Sequence, residues 1–347
     1  MKYIQAILPL PLEGTFTYSV PQDLENKIKV GMRVVVPCGQ KKTYTALCVE
    51  VTDQKPNIGV KNIKCIYSVL DDMPMLLPQQ LKLWQWMADY YMCPLGDIYK
   101  AALPAGLKAE DGYRPKTETY VGLTEKFHDE MALNIALDMV SRYEKQKKAL
   151  AGYLELSHWA EISGTNIPDD IKEITQTELC NVTHCTTPTV KSLVKRGILE
   201  IYQKEVGRLN TDGEFTPQNA KLLNEAQQEA YNQVLMQFLK KNVVLLHGVT
   251  SSGKTEIYIH LILKALQDHK QVLFLLPEIA LTVQIMERLQ RVFGSRLGIY
   301  HSKYSDAERV EIWKKQVSAC PYDIIIGARS AALLPFKNLG LVIIDEE

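Results

Sequence analysis

Residues 245–258 read LLHGVTSSGKTEIY: an apolar run, a loop of small residues, then a helix that opens at a lysine. Gly248, Val249, Thr250, Ser251, Ser252, Gly253, Lys254 and Thr255 satisfy the spacing G-x-x-x-x-G-K-[ST]. In that pattern successive backbone N–H groups wrap phosphates, the lysine reaches the β/γ oxygens and the final hydroxyl ligates magnesium. The context fits, because a helix opening just after the loop aims its positive end at the anion. A phosphate loop also needs a carboxylate to hold the metal and place water. The stretch LVIIDEE at 341–347 supplies one: four apolar residues of a buried strand, then Asp345 to hold Mg²⁺ and Glu346 to take the proton from attacking water. An exposed acidic strand end is the plain alternative for this pair. Loop and carboxylates together read as an NTPase.

Outward from the loop, strand and helix alternate. NVVLLHGV, QVLFLLP, LGIYHS, YDIIIGA and LGLVIIDE read as strands; the segment from Lys254, ALTVQIMERLQRVF and DAERVEIWKKQVS read as helices. Continuous apolar strands between amphipathic helices mean a parallel sheet covered on both faces, a doubly wound α/β domain with ligands at the carboxyl ends of its strands.

The first hundred residues differ. KYIQAILPL, FTYSV, GMRVVVPCG, TYTALCVEVT and NIKCIYSVL are short β-prone runs with turns between them, a small sheet or barrel. LPQQLKLWQWMADYYM follows as a helix with Leu81, Trp84, Met87 and Ala88 on one face. ALPAGLKAEDGYRPK lacks periodicity and reads as a linker, with a boundary near residue 110. From about 130 to 205 the pattern is helical and short. TTPTVKSLVKRGILEIYQKEV places Val190, Leu193 and Val194 on a helix face, stops at Gly197 and continues as a strand. That order is what a winged helix-turn-helix shows, with Lys191, Lys195 and Arg196 along the recognition helix; a solvated helix face is the alternative. YQKEVGRLNTDGEFTPQNAK reads as a second linker.

Forty basic residues balance forty acidic ones, so a nucleic-acid surface must be a local patch, not the field of the whole molecule. Seven scattered cysteines without a C-x-x-C pair suit reduced thiols rather than a disulfide framework. Cys180, His184 and Cys185 lie close in sequence, but no second ligand pair follows at finger spacing. The opening MKYIQAILPLPLEG is broken by prolines and is no signal peptide, and no apolar run approaches the roughly 20 residues that span a bilayer. The expectation is a cytoplasmic protein without a membrane partner.

The ordered series GVTSSGKTE, LPEIALT, YHS, GARSA and VIIDEE closely resembles helicase motifs I, Ia, Ib, Ic and II of the PriA (primosomal protein N′) family, superfamily 2 DNA helicases. LNEAQ at 223–227 resembles that family's glutamine motif, which implies that Gln227 recognises adenine and that ATP with Mg²⁺ is the cofactor. LPLPLEGTFTYSVP, GMRVVVPCG and ADYYMCPLGDIYKAALP are similar to the family's amino-terminal domain, which binds the 3′ end of a nascent strand. Carried over by position, its pocket would use Phe16, Thr17, Gly39 and Lys64. The chain departs from the family with Thr17, where an acid is common, and with Ser251, where glycine is common. The resemblance implies a multidomain protein: a β-rich DNA-binding domain (1–108), a linker and winged helix (109–205), and an incomplete first RecA-like P-loop lobe (206–347). It further implies DNA forks with a 3′ end, single-stranded DNA, single-stranded DNA-binding protein and primosome proteins as partners, and 3′-to-5′ unwinding at stalled forks. The family's zinc region, where Zn²⁺ is expected, its second lobe and its arginine finger lie beyond the motif at which these 347 residues stop, so the expectation is a fragment of a helicase.

Other physical readings stand beside the resemblance. Phe16 and Tyr18 alternate on one strand face, as stacking platforms for a base or as core. Lys64 suits a phosphate contact or a solvent-facing edge. Arg329 and Ser330 follow a buried strand on the ligand side, to touch a DNA backbone or to cap the strand. Two other functions remain open: another P-loop DNA translocase, and a DNA- and nucleotide-binding module without activity.

Overall fold

The computed structural model describes residues 2–39, 42–54, 63–109, 116–159, 171–205, 213–249, 252–277, 283–301 and 304–345. The chain divides into two compact units, Met1–Arg114 with Leu209–Glu347, and Pro115–Arg208.

The first unit opens with β1 (Tyr3–Ile7), β2 (Phe16–Ser19), β3 (Arg33–Cys38), β4 (Lys42–Thr52) and β5 (Ser68–Val69), an antiparallel sheet in the order β2-β1-β4-β3-β5. Period-2 alternation sorts the side chains. Ile4, Ala6, Val34, Val36, Ala46 and Cys48 fill the inside, while Ile7 and Leu47 face a helical layer. The sheet closes because Ser19 N–H donates to the Lys64 carbonyl, Ile66 N–H to Ser19 and Tyr67 N–H to Val35 (3.0, 3.0 and 2.8 Å). The strand expected over NIKCIYSVL is therefore reduced to Ser68–Val69 and a bridge at Cys65. Lys64 sits in that bridging segment, not in a strand.

The helical layer consists of α1 (Pro78–Tyr91), α2 (Leu95–Ala102) and α3 (Ala105–Lys108). Trp84 is fully buried with Leu81, Met87 and Ala88 packed around it, the face expected from their spacing. The stretch expected as a linker from residue 102 is instead part of the body as far as residue 109. Leu103 and Leu107 are buried, and Arg33 binds the Asp71 carboxylate while its Nη1 donates to the Leu107 carbonyl at 2.7 Å. Residues 110–115 of that stretch lie outside the described residues.

The second unit holds β6 (Thr117–Leu123), α4 (Glu130–Val140), α5 (Glu144–Leu156), β7 (Ile174–Thr175), α6 (Gln176–Thr183), α7 (Thr187–Lys195) and β8 (Leu199–Glu205), with sheet order β7-β6-β8. Helix α6, a left-handed His184, α7, a left-handed Gly197 and β8 form the winged helix-turn-helix. Val190 and Leu193 are buried with Val121, Leu150 and Leu199 around them, so the expected apolar face of α7 is the one that packs.

The first unit resumes with α8 (Glu225–Phe238), α9 (Lys254–Gln267), β9 (Gln271–Leu275), α10 (Val283–Phe293), β10 (Leu297–Tyr300), α11 (Asp306–Val317), β11 (Ile324–Gly327) and β12 (Leu339–Ile344). The four strands are parallel in the order β10-β11-β9-β12 and carry helices on both faces. Val272, Phe274, Ile324 and Ile326 meet α9 and α10 on one side; Leu273, Ile325 and Tyr300 meet α11 on the other. This is the doubly wound, RecA-like arrangement. Its departures share one cause. Residues 242–249, expected as a strand, are irregular, with Val243 83% and Leu245 87% exposed. Beside them β12 is an edge strand in which Ile343 is buried but Val342 and Ile344 are exposed, so LVII is not the fully buried strand expected. A strand becomes regular only when its N–H and C=O groups find a ladder partner. The second expected linker is also part of the body from residue 213, because the Phe215 ring stacks on Phe293, 6.5 Å between centroids; 206–212 lie outside the described residues.

Barrel, helical layer and lobe share side chains and hydrogen bonds. Trp313 Nε1 donates to the Met75 carbonyl at 2.8 Å, and Gln80 Nε2 to the Leu333 carbonyl at 2.9 Å. The Asp306 carboxylate accepts from Ala105 N–H at 2.7 Å and from Gly106 N–H. Among the described residues no helix is long and apolar enough to cross a membrane.

Candidate functional site

The phosphate-loop residues converge at the start of α9. Gly253 adopts φ +86°, a left-handed conformation that turns the loop into the helix without a Cβ penalty. Lys254 Nζ donates back to the Gly248 carbonyl at 2.6 Å, so the ammonium lies over the loop's first glycine. A Cβ on Gly248 would come within 3.0 Å of Ser252 Oγ, which keeps that corner open for backbone groups. Thr255 is half-buried one residue into the helix, and Val249 is exposed on the loop. Thr250 and Ser251 lie outside the described residues, and with them the question of backbone strain at Ser251.

Gln227 is drawn to the same place from α8. With Asn224 it forms a capping box: Gln227 N–H donates to Asn224 Oδ1 at 2.9 Å and Asn224 N–H to Gln227 Oε1 at 3.0 Å. Its Nε2 then reaches the Gly253 carbonyl at 3.4 Å, and a Cβ on Gly253 would fall 2.2 Å from that nitrogen. The glutamine motif and the second loop glycine thus specify one another.

Asp345 stands at the carboxyl end of β12. Its N–H donates to the Leu275 carbonyl at 3.1 Å and its Oδ1 accepts from the Tyr258 hydroxyl at 3.0 Å. Burial, then the Asp345 carboxylate, holds the Tyr258 phenol well above its usual range, so it keeps its proton and donates it to the carboxylate. Glu346 lies outside the described residues. A cation over a glycine loop, a hydroxyl behind it and a carboxylate anchored at the neighbouring strand end are the donor set that a nucleotide phosphate with a divalent ion requires.

Sequence reasoning did not single out Tyr258 or Glu256. Glu256 is 5% exposed and pairs with Arg288 of α10, tying the phosphate helix to the helix that follows LPEIALT. The signal for Tyr258 was its place four residues after Lys254, on the same helix side. Nothing in the sequence marked Arg288 as its neighbour's partner.

On the barrel, Lys64 Nζ donates to the Gly39 carbonyl at 2.5 Å; Gly39 has φ +68° and is exposed. Phe16 and Thr17 lie half-buried on β2, where Thr17 Oγ1 donates to Gln5 Oε1 at 3.2 Å. Tyr18 is buried, its hydroxyl directed to the Pro37 carbonyl at 3.4 Å, and burial followed by Cys38 pushes its phenol up to about 12. Tyr18 is therefore core, while the Phe16 ring keeps an open side. Arg329 and Ser330 are exposed on a 3₁₀ turn (Arg329–Leu333) after β11, at the carboxyl end of the sheet. In the second unit Lys191 and Lys195 are exposed on α7, whereas the Arg196 guanidinium lies 4.4 Å from the Tyr143 ring centroid and donates to the Met139 carbonyl. Cys180 and Cys185 lie with sulfurs 3.7 Å apart.

Comparison with known families divides the chain in the same order. Residues 5–104 match the 3'DNA-binding domain (3'BD), residues 118–206 the winged helix domain of PriA helicase in Bacteroidota, and residues 224–347 the DEAD/DEAH box helicase family. Among curated proteins, replication restart protein PriA of Haemophilus influenzae is 30% identical over 354 residues, spanning 100% of this chain and 44% of that protein. The PriA protein of Bacillus subtilis is 29% identical over 383 residues, 97% of this chain and 47% of its own length. That of Helicobacter pylori is 45% identical over 126 residues, 36% of this chain and 20% of its own. The chain thus spans less than half the length of the curated relatives that it matches from end to end. With both PriA-specific domains and the helicase domain following one another along it, the chain belongs to the PriA family of replication restart proteins.

Proposed function

We propose that this chain is the fork-recognising and first motor part of an ATP-dependent 3′-to-5′ DNA helicase that restarts replication at stalled or abandoned forks. One observation carries the reading: the loop with Lys254, the anchored Asp345 and the barrel that places Lys64 on Gly39 belong to a single compact unit. Having both sets of groups on one body suits a motor that starts at a DNA end.

In this reading the backbone of residues 248–253 and the Lys254 ammonium hold the phosphates. Thr255 and Asp345 hold Mg²⁺, Glu346 takes the proton from water, and Gln227 recognises adenine. When bound, Mg²⁺–ATP supplies the phosphoanhydride to be cleaved and a Lewis acid for the charge that develops. Phe16 offers a face to the terminal base, and Thr17, Gly39 and Lys64 contact the terminal nucleotide. Lys191 and Lys195 of the winged helix, with Arg329 and Ser330 of the lobe, meet phosphates along the duplex or single strand. Domain limits at 1–108, 109–205 and 206–347 accommodate these roles. The partners are forks with a 3′ end, single-stranded DNA, single-stranded DNA-binding protein and primosome proteins, in the cytoplasm.

The test uses fluorescent forks whose nascent strand ends in a 3′ hydroxyl or a 3′ phosphate, together with ATP turnover with and without DNA. Tighter binding of the hydroxyl end and DNA-stimulated turnover in a longer form carrying the second lobe support the proposal. Equal affinity for the two ends rules out the end pocket, and binding without any stimulated turnover in that longer form favours a non-catalytic module.

A further inference from the structure

We propose that Tyr258 is a positioning residue for the metal-holding carboxylate: its hydroxyl fixes Asp345 so that one carboxylate oxygen is turned toward the Mg²⁺ that accompanies the nucleotide. This rests on the nucleotide reading above and adds to it a residue outside the motifs.

Three contacts carry it. Tyr258 lies four residues beyond Lys254 on α9, so the helix that presents the phosphate-binding ammonium presents the phenol from the same side one turn later. The ring is 7% exposed and meets Phe274 of β9 edge to face, 5.5 Å between centroids, which leaves it one way to point. At the end of that ring the hydroxyl donates to Asp345 Oδ1 at 3.0 Å, while Asp345 N–H is held by the carbonyl of Leu275, also on β9. The backbone of Asp345 is thereby fixed to β9 and one of its oxygens to α9, and among the described residues no partner takes up Oδ2, which is the oxygen turned to a cation. A carboxylate accepts at about four lone-pair sites, so one phenol does not exhaust it.

A buried tyrosine needs some partner for its hydroxyl, and Asp345 could serve merely as that partner. The two roles separate experimentally, because Tyr258→Phe keeps the ring against Phe274 and removes only the bond to the carboxylate. Partners that orient a metal-holding group typically change metal affinity by about 10- to 100-fold.

The experiment measures binding of a fluorescent non-hydrolysable ATP analogue to the chain Met1–Glu347 as Mg²⁺ is raised, with a parallel arm in EDTA. In Tyr258→Phe the affinity in EDTA is expected to match the parent, while the Mg²⁺ concentration giving half of the metal-dependent gain rises roughly tenfold. Asp345→Asn is expected to erase that gain whether residue 258 is Tyr or Phe. An unshifted Mg²⁺ midpoint overturns the inference, as does an equal loss in EDTA and in Mg²⁺, which assigns the tyrosine to packing. If the parent binds the analogue with a metal-dependent gain and Tyr258→Phe copies it, only this inference falls. If the parent binds no analogue at all, the nucleotide reading falls with it.

Discussion

In the RecA-like lobe the groups assigned to phosphate come from eight consecutive residues, 248–255, and their support comes from other elements: Gln227 on α8 reaches Gly253, and Asp345 at the end of β12 is tied through Tyr258 to the helix that the loop opens. On the barrel the arrangement is reversed. Phe16 and Thr17, Gly39, and Lys64 come from three separate segments, and their closest partners are one another and the barrel itself: Lys64 on Gly39, Thr17 on Gln5. The first site is local in chain and distributed in support; the second is distributed in chain and local in support. A change in the lobe should therefore strip one function from an intact fold, whereas the barrel site should follow the integrity of the barrel.

The largest expected effect tests that dependence. Asp71 is almost wholly buried and accepts from Arg33, which also holds the α3 carbonyl of Leu107. Asp71→Ala leaves a buried guanidinium unpaired, which costs about 3–5 kcal/mol. Urea denaturation should show that loss, and DNA-end binding should fall with it; a stable variant with normal end binding would break the comparison. Next, Lys254→Ala should lower nucleotide affinity roughly a hundredfold, since a charge-assisted hydrogen bond contributes about 1.5–3 kcal/mol. Calorimetry with ATP and an unchanged melting temperature would check it, and a parallel loss of stability would contradict a site local in chain. Phe16→Ala should weaken binding of a 3′-hydroxyl end by about 1–3 kcal/mol if the half-buried ring stacks on a base, read by fluorescence anisotropy at fixed salt; unchanged affinity would remove Phe16 from the pocket.

The smallest effect concerns Tyr18, buried one position beyond the pair proposed to bind a DNA end. Its phenol is raised to about 12 in the folded chain, against about 10 unfolded. The stability linked to its proton is intact below pH 10 and is lost as pH rises from 10 toward 12, where the unfolded chain ionises first. Tyr18→Phe removes that dependence. The difference in denaturation midpoint between Tyr18→Phe and the parent should move in favour of the variant between pH 9 and pH 11, and a difference constant with pH would argue against a buried, raised phenol.

Much of the lobe was legible because continuous apolar strands and amphipathic helices announce themselves locally. β9, β10, β11 and β12 fall where the apolar runs lie. What was not legible depended on partners far along the chain. The run at 242–249 has strand composition, yet among the described residues β12 pairs only with β9 and no ladder forms at the run. ALPAGLK looked like a linker, yet Leu107 is buried and Asp306 caps α3 from about 200 positions away. Lys64 seemed to ride a strand because its neighbours are apolar; it instead closes the barrel through its carbonyl. For the candidate sites the motifs exposed Lys254, Asp345 and Gln227, but not Tyr258, whose signal was its spacing from Lys254 alone, nor Arg288, whose pairing with Glu256 no spacing rule announces.

The indole of Trp313 bonded to Met75 spans 238 positions of the chain. On a ribosome adding about 5–20 residues per second, the apolar underside around Met75 and Trp84 waits on the order of ten to fifty seconds for the helix that covers it. The second unit, whose own core is complete by residue 201, is synthesised within that interval. The barrel thus spends its early life as an unfinished surface, and an amino-terminal piece released before α11 emerges would present that surface to chaperones and to other copies of itself.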